Sequence, residues 1–147
     1  TISSKLSGTC QSARIAAEDY EGKVFVVDSL NATIGEQILV EYGQQLKKQG
    51  MTAEEIVSVL QEQKHKIHTM GLLDTLEYLK KGGRISPTVA FIGGALAIKP
   101  VVAVVDGEII MLGKARGSKT AVTSSSVKLK KRTAWTSPSP SVWAIPV

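Results

Sequence analysis

The sequence predicts an α/β fold, a mixed sheet with flanking helices, and two patterns carry that expectation. Residues 23–81 read as strand, helix, helix, strand, helix, an order that favours layered α/β structure over an all-β sandwich. Farther on, an apolar run over 97–105, the Asp106-Gly107 pair and a second apolar run over 108–112 form a strong hairpin signal. A hairpin is antiparallel, so the sheet becomes mixed or a second subdomain begins there. With 147 residues, 43% of them hydrophobic, the chain can bury one substantial core.

Element by element, the polar opening segment Thr1–Thr9 leads into a helix predicted over Cys10–Tyr20, with Thr9 placed to cap its first amides and Ala13, Ala16 and Ala17 favouring close packing. Lys23–Val27 reads as a buried strand ended by Asp28-Ser29, and a helix follows from Asn31 to about Gln49. Ile34, Ile38, Leu39, Tyr42 and Leu46 recur on one face of that helix, and Gly50 stops it. Thr52-Ala53-Glu54-Glu55 is a capping box opening a further helix, which ends near Lys66. His68–Gly71 reads as a short strand or turn, and Leu72–Lys81 as a helix with Leu73, Leu76 and Leu79 inward, terminated by Gly82-Gly83. Ser86-Pro87 opens another short helix to Gly93-Gly94, and Pro100 marks its own strand as an edge or a bulge. Beyond Gly117 the periodicity fades into a Ser-, Pro- and Trp-containing segment.

Composition narrows the function classes. Cys10 is the single cysteine, which excludes an internal disulfide and any multi-thiolate metal site and mildly favours the cytoplasm. Residues 1–117 hold 13 basic and 13 acidic residues, so the net charge of +5 belongs to the last 30 residues. That basic cluster is short and has no matching stripe or aromatic platform in the body, so nucleic acid is not the expected partner. Every apolar stretch is broken well before the ~20 residues of a membrane span, and the opening residues do not read as a signal peptide.

Chemistry concentrates in two places. Ser3, Ser4, Ser7, Gly8 and Thr9 gather hydroxyls and backbone amides ahead of a helix, an arrangement that holds an anionic oxygen of a carboxylate or phosphate or, with more weight from the residues alone, forms a capped loop. Gly82-Gly83-Arg84 offers close backbone approach and a fixed fork of donors, or else Arg84 pairs with an acid or a helix carbonyl. His65 and His68 lack an evident carboxylate partner and make no metal site, and neither is set beside Cys10 as a base. Asp28-Ser29, at a strand end, reads as a binding rim or, with more weight, as a cap for the following helix. The phosphate-loop, dinucleotide and nucleophile-elbow motifs are all absent.

The segment Ser3-Ser-Lys-Leu-Ser-Gly-Thr9 with Gln11-Ser-Ala13 resembles the DegV family. So do Val26-Val-Asp-Ser29, the stretch from His68 through Leu76-Glu-Tyr-Leu-Lys-Lys-Gly-Gly-Arg-Ile-Ser86, Ile98-Lys-Pro100, Asp106-Gly107 and Lys114-Ala-Arg-Gly117, in the same order. The resemblance spans residues 1 to about 122 and implies two-domain α/β proteins that bind a long-chain fatty acid non-catalytically in an interdomain slot. It implies a carboxylate held chiefly by Ser4, with Ser3, Ser7, Gly8 and Thr9 around it, and Arg84 and Ile85 beside the ligand. Leu6, Ile92, Leu96 and Ile98 become candidate acyl contacts, with no metal or other cofactor. Relative to that pattern the chain resembles a middle fragment: a partial first domain over 1–95, the start of a second subdomain over 96–132, and an atypical tail over 133–147. Expected partners are the fatty acid and an acyl-handling protein, with self-association of the fragment as a further expectation because missing strands leave edges unpaired. An acyl-transfer or phosphate-handling enzyme component is the alternative function.

Overall fold

A computed structural model of the chain describes residues 1–86 and 98–116. Its helices are α1 (Thr9–Ala17, continued by a 3-10 turn over Glu18–Tyr20), α2 (Ile34–Lys48), α3 (Ala53–Gln63, continued by a 3-10 turn over Lys64–Lys66) and α4 (Glu77–Lys81). The strands β1 (Thr69–Leu72), β2 (Ile98–Val105) and β3 (Glu108–Arg116) form one sheet in the order β1-β2-β3. Gly71 faces Val102 and the Leu73 amide donates to the Pro100 carbonyl, so β1 and β2 run antiparallel. The turn between β2 and β3 places Asp106 at φ +49° and Gly107 at φ +85°, the left-handed pair that a two-residue hairpin requires.

The described residues divide into two compact units, one formed by Thr1–Met70 with Ala103–Ile110 and the other by residues 71–86, 98–102 and 111–116. In the first, Leu6, Ala32 and Val104 make a buried cluster against which Ile2 and Ile109 pack. Leu39 and Leu46 are the buried residues of the α2 stripe, while Ile38, from the same predicted stripe, stays exposed. Helix α2 also packs unusually close at Gly35, where a β-carbon would collide with the Thr69 hydroxyl and the Asn31 side chain. In the second unit, Leu76, Ile85, Val101, Val102 and Leu112 are buried.

Local signals determine where the helices start and stop. The Thr52 hydroxyl accepts the Glu55 amide at 3.3 Å, and the Glu55 carboxylate accepts the Thr52 amide at 2.8 Å, completing the capping box. Gly50, at φ +87°, follows α2. Helix α4 ends in a Schellman arrangement: the Arg84 amide donates to the Leu79 carbonyl and the Gly83 amide to that of Lys80, with Gly83 at φ +70°.

Four expectations are corrected. Lys23–Val27 pairs with no strand among the described residues, and Val24 and Phe25 are exposed, so its β-favouring composition is not matched by a hydrogen-bonded neighbour. The helix predicted from Leu72 begins only at Glu77, because Leu72 belongs to β1 and the Leu73 amide is drawn to Pro100. Pro100 lies on the central strand, not at an edge, and its missing amide falls opposite Leu73, where β1 has already ended. Thr9 lies inside α1 after Gly8, and its own amide is met by the Ser7 hydroxyl at 3.2 Å. The helix expected after Ser86-Pro87 and everything beyond Arg116 lie outside the described residues.

Because the Thr52 cap is exposed and its two bonds are reciprocal, Thr52→Ala should lower unfolding stability by about 1 kcal/mol. The denaturant midpoint should fall with an unchanged slope; a changed slope would indicate an altered denatured state.

Candidate functional site

The first unit gathers three segments around Ser3: the opening loop Ser3–Gly8, the loop Asp28–Thr33 and the β2-β3 turn. Ser3 is fully buried and every polar atom on it is engaged. Its amide donates to the Asn31 carbonyl at 2.8 Å, and its carbonyl accepts the amides of Leu6 and Ser7 at 3.0 and 3.1 Å. Its hydroxyl donates to the Gly107 carbonyl at 2.7 Å and accepts the Lys5 amide at 3.3 Å. The turn must come this close: a β-carbon on Gly107 would stand 2.5 Å from Ser3 Oγ. Ser3 is therefore the clamp under the loop, with its hydroxyl directed to the scaffold.

Ser4 follows immediately and is exposed, with its amide donating to Asp28 Oδ1 at 3.2 Å. Asp28 Oδ1 also accepts the Leu30 amide at 3.0 Å, a local Asx turn. The expected cap at the start of α2 is not what Asp28 forms: Thr33 stands before α2 and makes no side-chain cap. Asp28 is 6% exposed, and burial by itself raises its pKa. The Ser4 hydroxyl, the amides of Leu30 and Ser4, and the charge of Lys64 outweigh that penalty and hold the carboxyl below its ordinary value of 3.8.

The rest of the Asp28–Thr33 loop is built on buried polar groups. Asn31 Nδ2 donates to the carbonyls of Ser29 and Lys64 at 3.0 and 3.3 Å, and Asn31 Oδ1 accepts the Thr69 hydroxyl at 3.2 Å. The Ser29 hydroxyl exchanges bonds with the Asn31 backbone, both at 3.1 Å. Leu30 and Thr33 adopt φ values of +50° and +54°, and for β-branched Thr33 that is a strained conformation. Sequence reasoning missed Asn31 and the scaffolding use of Ser29 and Gly107; the run of Asx and hydroxyl residues directly after Val26-Val27 was the available signal.

Ser7 and Thr9 bond to each other through their hydroxyls at 2.8 Å beside exposed Gly8. Leu6 faces inward, packed with Ala32 and Val104. Arg84 and Ile85 belong to the second unit: Arg84 is exposed and donates from Nη1 to the Gly82 carbonyl, while Ile85 is 6% exposed. Ile92 and Leu96 lie outside the described residues, and Ile98 opens β2. Cys10 is fully buried in the first turn of α1. His65 is exposed on its 3-10 turn and burial lowers the pKa of His68. Among the described residues no group of His, Cys, Asp or Glu is arranged to hold a metal, and no helix is long and apolar enough to cross a membrane.

The arrangement thus presents an exposed hydroxyl, Ser4, on a loop anchored from beneath, and the chain as a whole is similar to known proteins in sequence and fold. The family described as "Uncharacterised protein, DegV family" matches residues 1–139. A DegV domain-containing protein of Clostridium perfringens is 40% identical over 137 residues, covering 89% of this chain and 47% of the relative. A solved DegV family protein from Thermus thermophilus, described by its fatty acid binding, superposes with a TM-score of 0.73 at 37% identity over 90% of this chain and 47% of that one. The B3 protein of a Streptococcus pneumoniae fatty acid kinase, solved with linoleic acid, gives a TM-score of 0.76 at 33% identity over 90% and 49%. The chain spans about half the length of the curated relatives it matches.

Two outcomes test the clamp. Ser3→Ala leaves the Gly107 carbonyl and the Lys5 amide without their partner, a loss of about 1–3 kcal/mol, and should speed amide hydrogen exchange at Lys5. Asp28, with a lowered folded pKa, contributes stability that is fully present above 3.8 and lost as pH falls through the folded value. Asp28→Asn should therefore flatten the acid limb of a stability-versus-pH curve; parallel limbs for the two proteins would show that the carboxylate contributes nothing there.

Proposed function

The chain belongs to the DegV family, and from that membership we propose that it forms part of a protein that binds a long-chain fatty acid without catalysis. The observation that carries the reading is Ser4: an exposed hydroxyl held by a buried anchor, in a chain whose solved relatives include proteins described as binding fatty acids. In this reading Ser4 meets the carboxyl head group, Ser7, Gly8 and Thr9 shape the loop around it, and Ser3 holds the loop down. The Arg84-Ile85 segment lines the ligand region of the full-length protein. The acyl tail occupies an apolar slot between that protein's two domains, with Ile92, Leu96 and Ile98 as candidate contacts.

The division of labour follows from magnitudes. Each fully buried methylene contributes about 0.8 kcal/mol, so the tail supplies most of the affinity. A few polar groups then orient the head. A reacting pair is not needed for such a task, and the residues named above supply hydroxyls and amides rather than a nucleophile beside a base. The S. pneumoniae protein, a named component of a fatty acid kinase that carries linoleic acid, supports a matching partner: an acyl-handling protein that takes over the bound acid.

Mass spectrometry of lipid extracted from the purified full-length protein, against a buffer blank, should find a long-chain fatty acid approaching one per molecule. Ser4→Ala should then weaken binding of added fatty acid by about tenfold, the worth of one hydrogen bond to a charged or strongly polar group. Unchanged affinity would remove Ser4 from the site.

A further inference from the structure

Every backbone amide from Ser3 to Ser7 is committed within the first unit. Those of Lys5, Leu6 and Ser7 go to Ser3, through its hydroxyl at 3.3 Å and its carbonyl at 3.0 and 3.1 Å, and the Ser3 amide goes to the Asn31 carbonyl. Among them only the Ser4 amide is taken by a side chain from another segment, Asp28 Oδ1 at 3.2 Å. Ser4 therefore offers an incoming head group its side chain and not its N–H. Where that side chain stands depends on how the planar Ser3–Ser4 peptide is turned. Ser3 anchors one end of that peptide, and Asp28 holds the N–H at the other.

Asp28 is itself fixed on both sides. The Thr1 nitrogen donates to the Val27 carbonyl at 2.9 Å and the Ser29 amide to the Thr1 carbonyl at 3.1 Å. The side chain is buried, and the oxygen that takes the Ser4 amide also accepts the Leu30 amide at 3.0 Å. We propose that Asp28 is a positioning residue for head-group recognition: without touching the ligand, it aims the Ser4 side chain by holding the Ser4 amide. The proposal rests on the fatty-acid reading above and concerns how that site is shaped. The role calls for an acceptor at Oδ1 and not for a charge. Asparagine presents the same oxygen to both amides, whereas alanine presents none. An effect of Asp28 on the ligand through its charge would instead be lost equally in both substitutions.

Affinity of the full-length protein for a saturated long-chain fatty acid is measured for the wild type, Asp28→Ala, Asp28→Asn, Ser4→Ala and the Asp28→Ala/Ser4→Ala double variant. Asp28→Ala should weaken binding by about tenfold, matching Ser4→Ala. Asp28→Asn should bind within about threefold of the wild type, a neutral acceptor making a weaker bond than a charged one. Because Asp28 acts through Ser4, the double variant should bind no more weakly than Ser4→Ala, and multiplied losses, about a hundredfold, overturn the proposal. Equal losses in Asp28→Asn and Asp28→Ala also overturn it. Amide hydrogen exchange separates aiming from folding: Asp28→Ala should speed exchange at Ser4 and Leu30 while Lys5, Leu6 and Ser7 stay as protected as in the wild type. Loss of protection at all of these positions would make Asp28 a structural residue and end the positioning role. If the wild type binds no fatty acid, the fatty-acid reading fails and the proposal falls with it. Wild-type binding that Asp28→Ala leaves unchanged sinks the proposal alone.

Discussion

Ser3 joins positions that lie 104 residues apart in the chain, through one hydroxyl bonded to the carbonyl of Gly107. Because the side chain is fully buried, neither partner can exchange that bond for water. The same residue pins the Asp28–Thr33 loop through its amide and closes its own turn through its carbonyl. Loss of such a hub leaves several buried groups unpaired at once, which is dearer than the loss of any single bond. The exposed Ser4 takes its position from this buried neighbour and from the Asp28 carboxylate that accepts its amide.

The second loop shows how strain and polarity are balanced. Leu30 and Thr33 adopt left-handed φ values, a cost of order 1–3 kcal/mol for each. Between them Asn31 is 2% exposed and satisfies its amide group against Ser29, Lys64 and Thr69. Relaxing either strained residue would pull Asn31 away from partners on two other elements. The network therefore over-determines the backbone, and the Asp28 carboxylate at its start points to the Ser4 amide and not to a helix terminus.

What could be read from the sequence divides along the range of the interaction. The Thr52 capping box, the stop at Gly50, the Gly82-Gly83 terminator and the Asp106-Gly107 turn are each settled within a few residues, and each appears in the structure. Lys23–Val27 and Leu72–Leu76 carried equally clear compositions but depend on a partner distant in the chain. The first finds none among the described residues, and the second is claimed by the strand containing Pro100. The site divides in the same way. Its hydroxyl loop was visible as composition, whereas the distinction between Ser3 as clamp and Ser4 as exposed group depends on contacts with Gly107 and Asp28.

That distinction bears on what a loop of this kind can contribute to recognition. A neutral hydrogen bond nets about 1 kcal/mol in water-exchanging surroundings, whereas two buried methylenes at about 0.8 kcal/mol each already exceed it. In the proposed binding mode, affinity for a long acyl chain would be governed by an apolar slot, and a weakly held head group would be free to reverse or slide. A rigid polar anchor changes this balance without adding much binding energy, because the wrong orientation buries an unpaired carboxyl group in apolar surroundings at a penalty of roughly 2–7 kcal/mol. In the proposed binding mode, fixing Ser4 through Ser3 and Asp28 would favour one direction of insertion, with the carboxyl end at the loop. In a carrier, that direction decides which end of the acid a partner can reach.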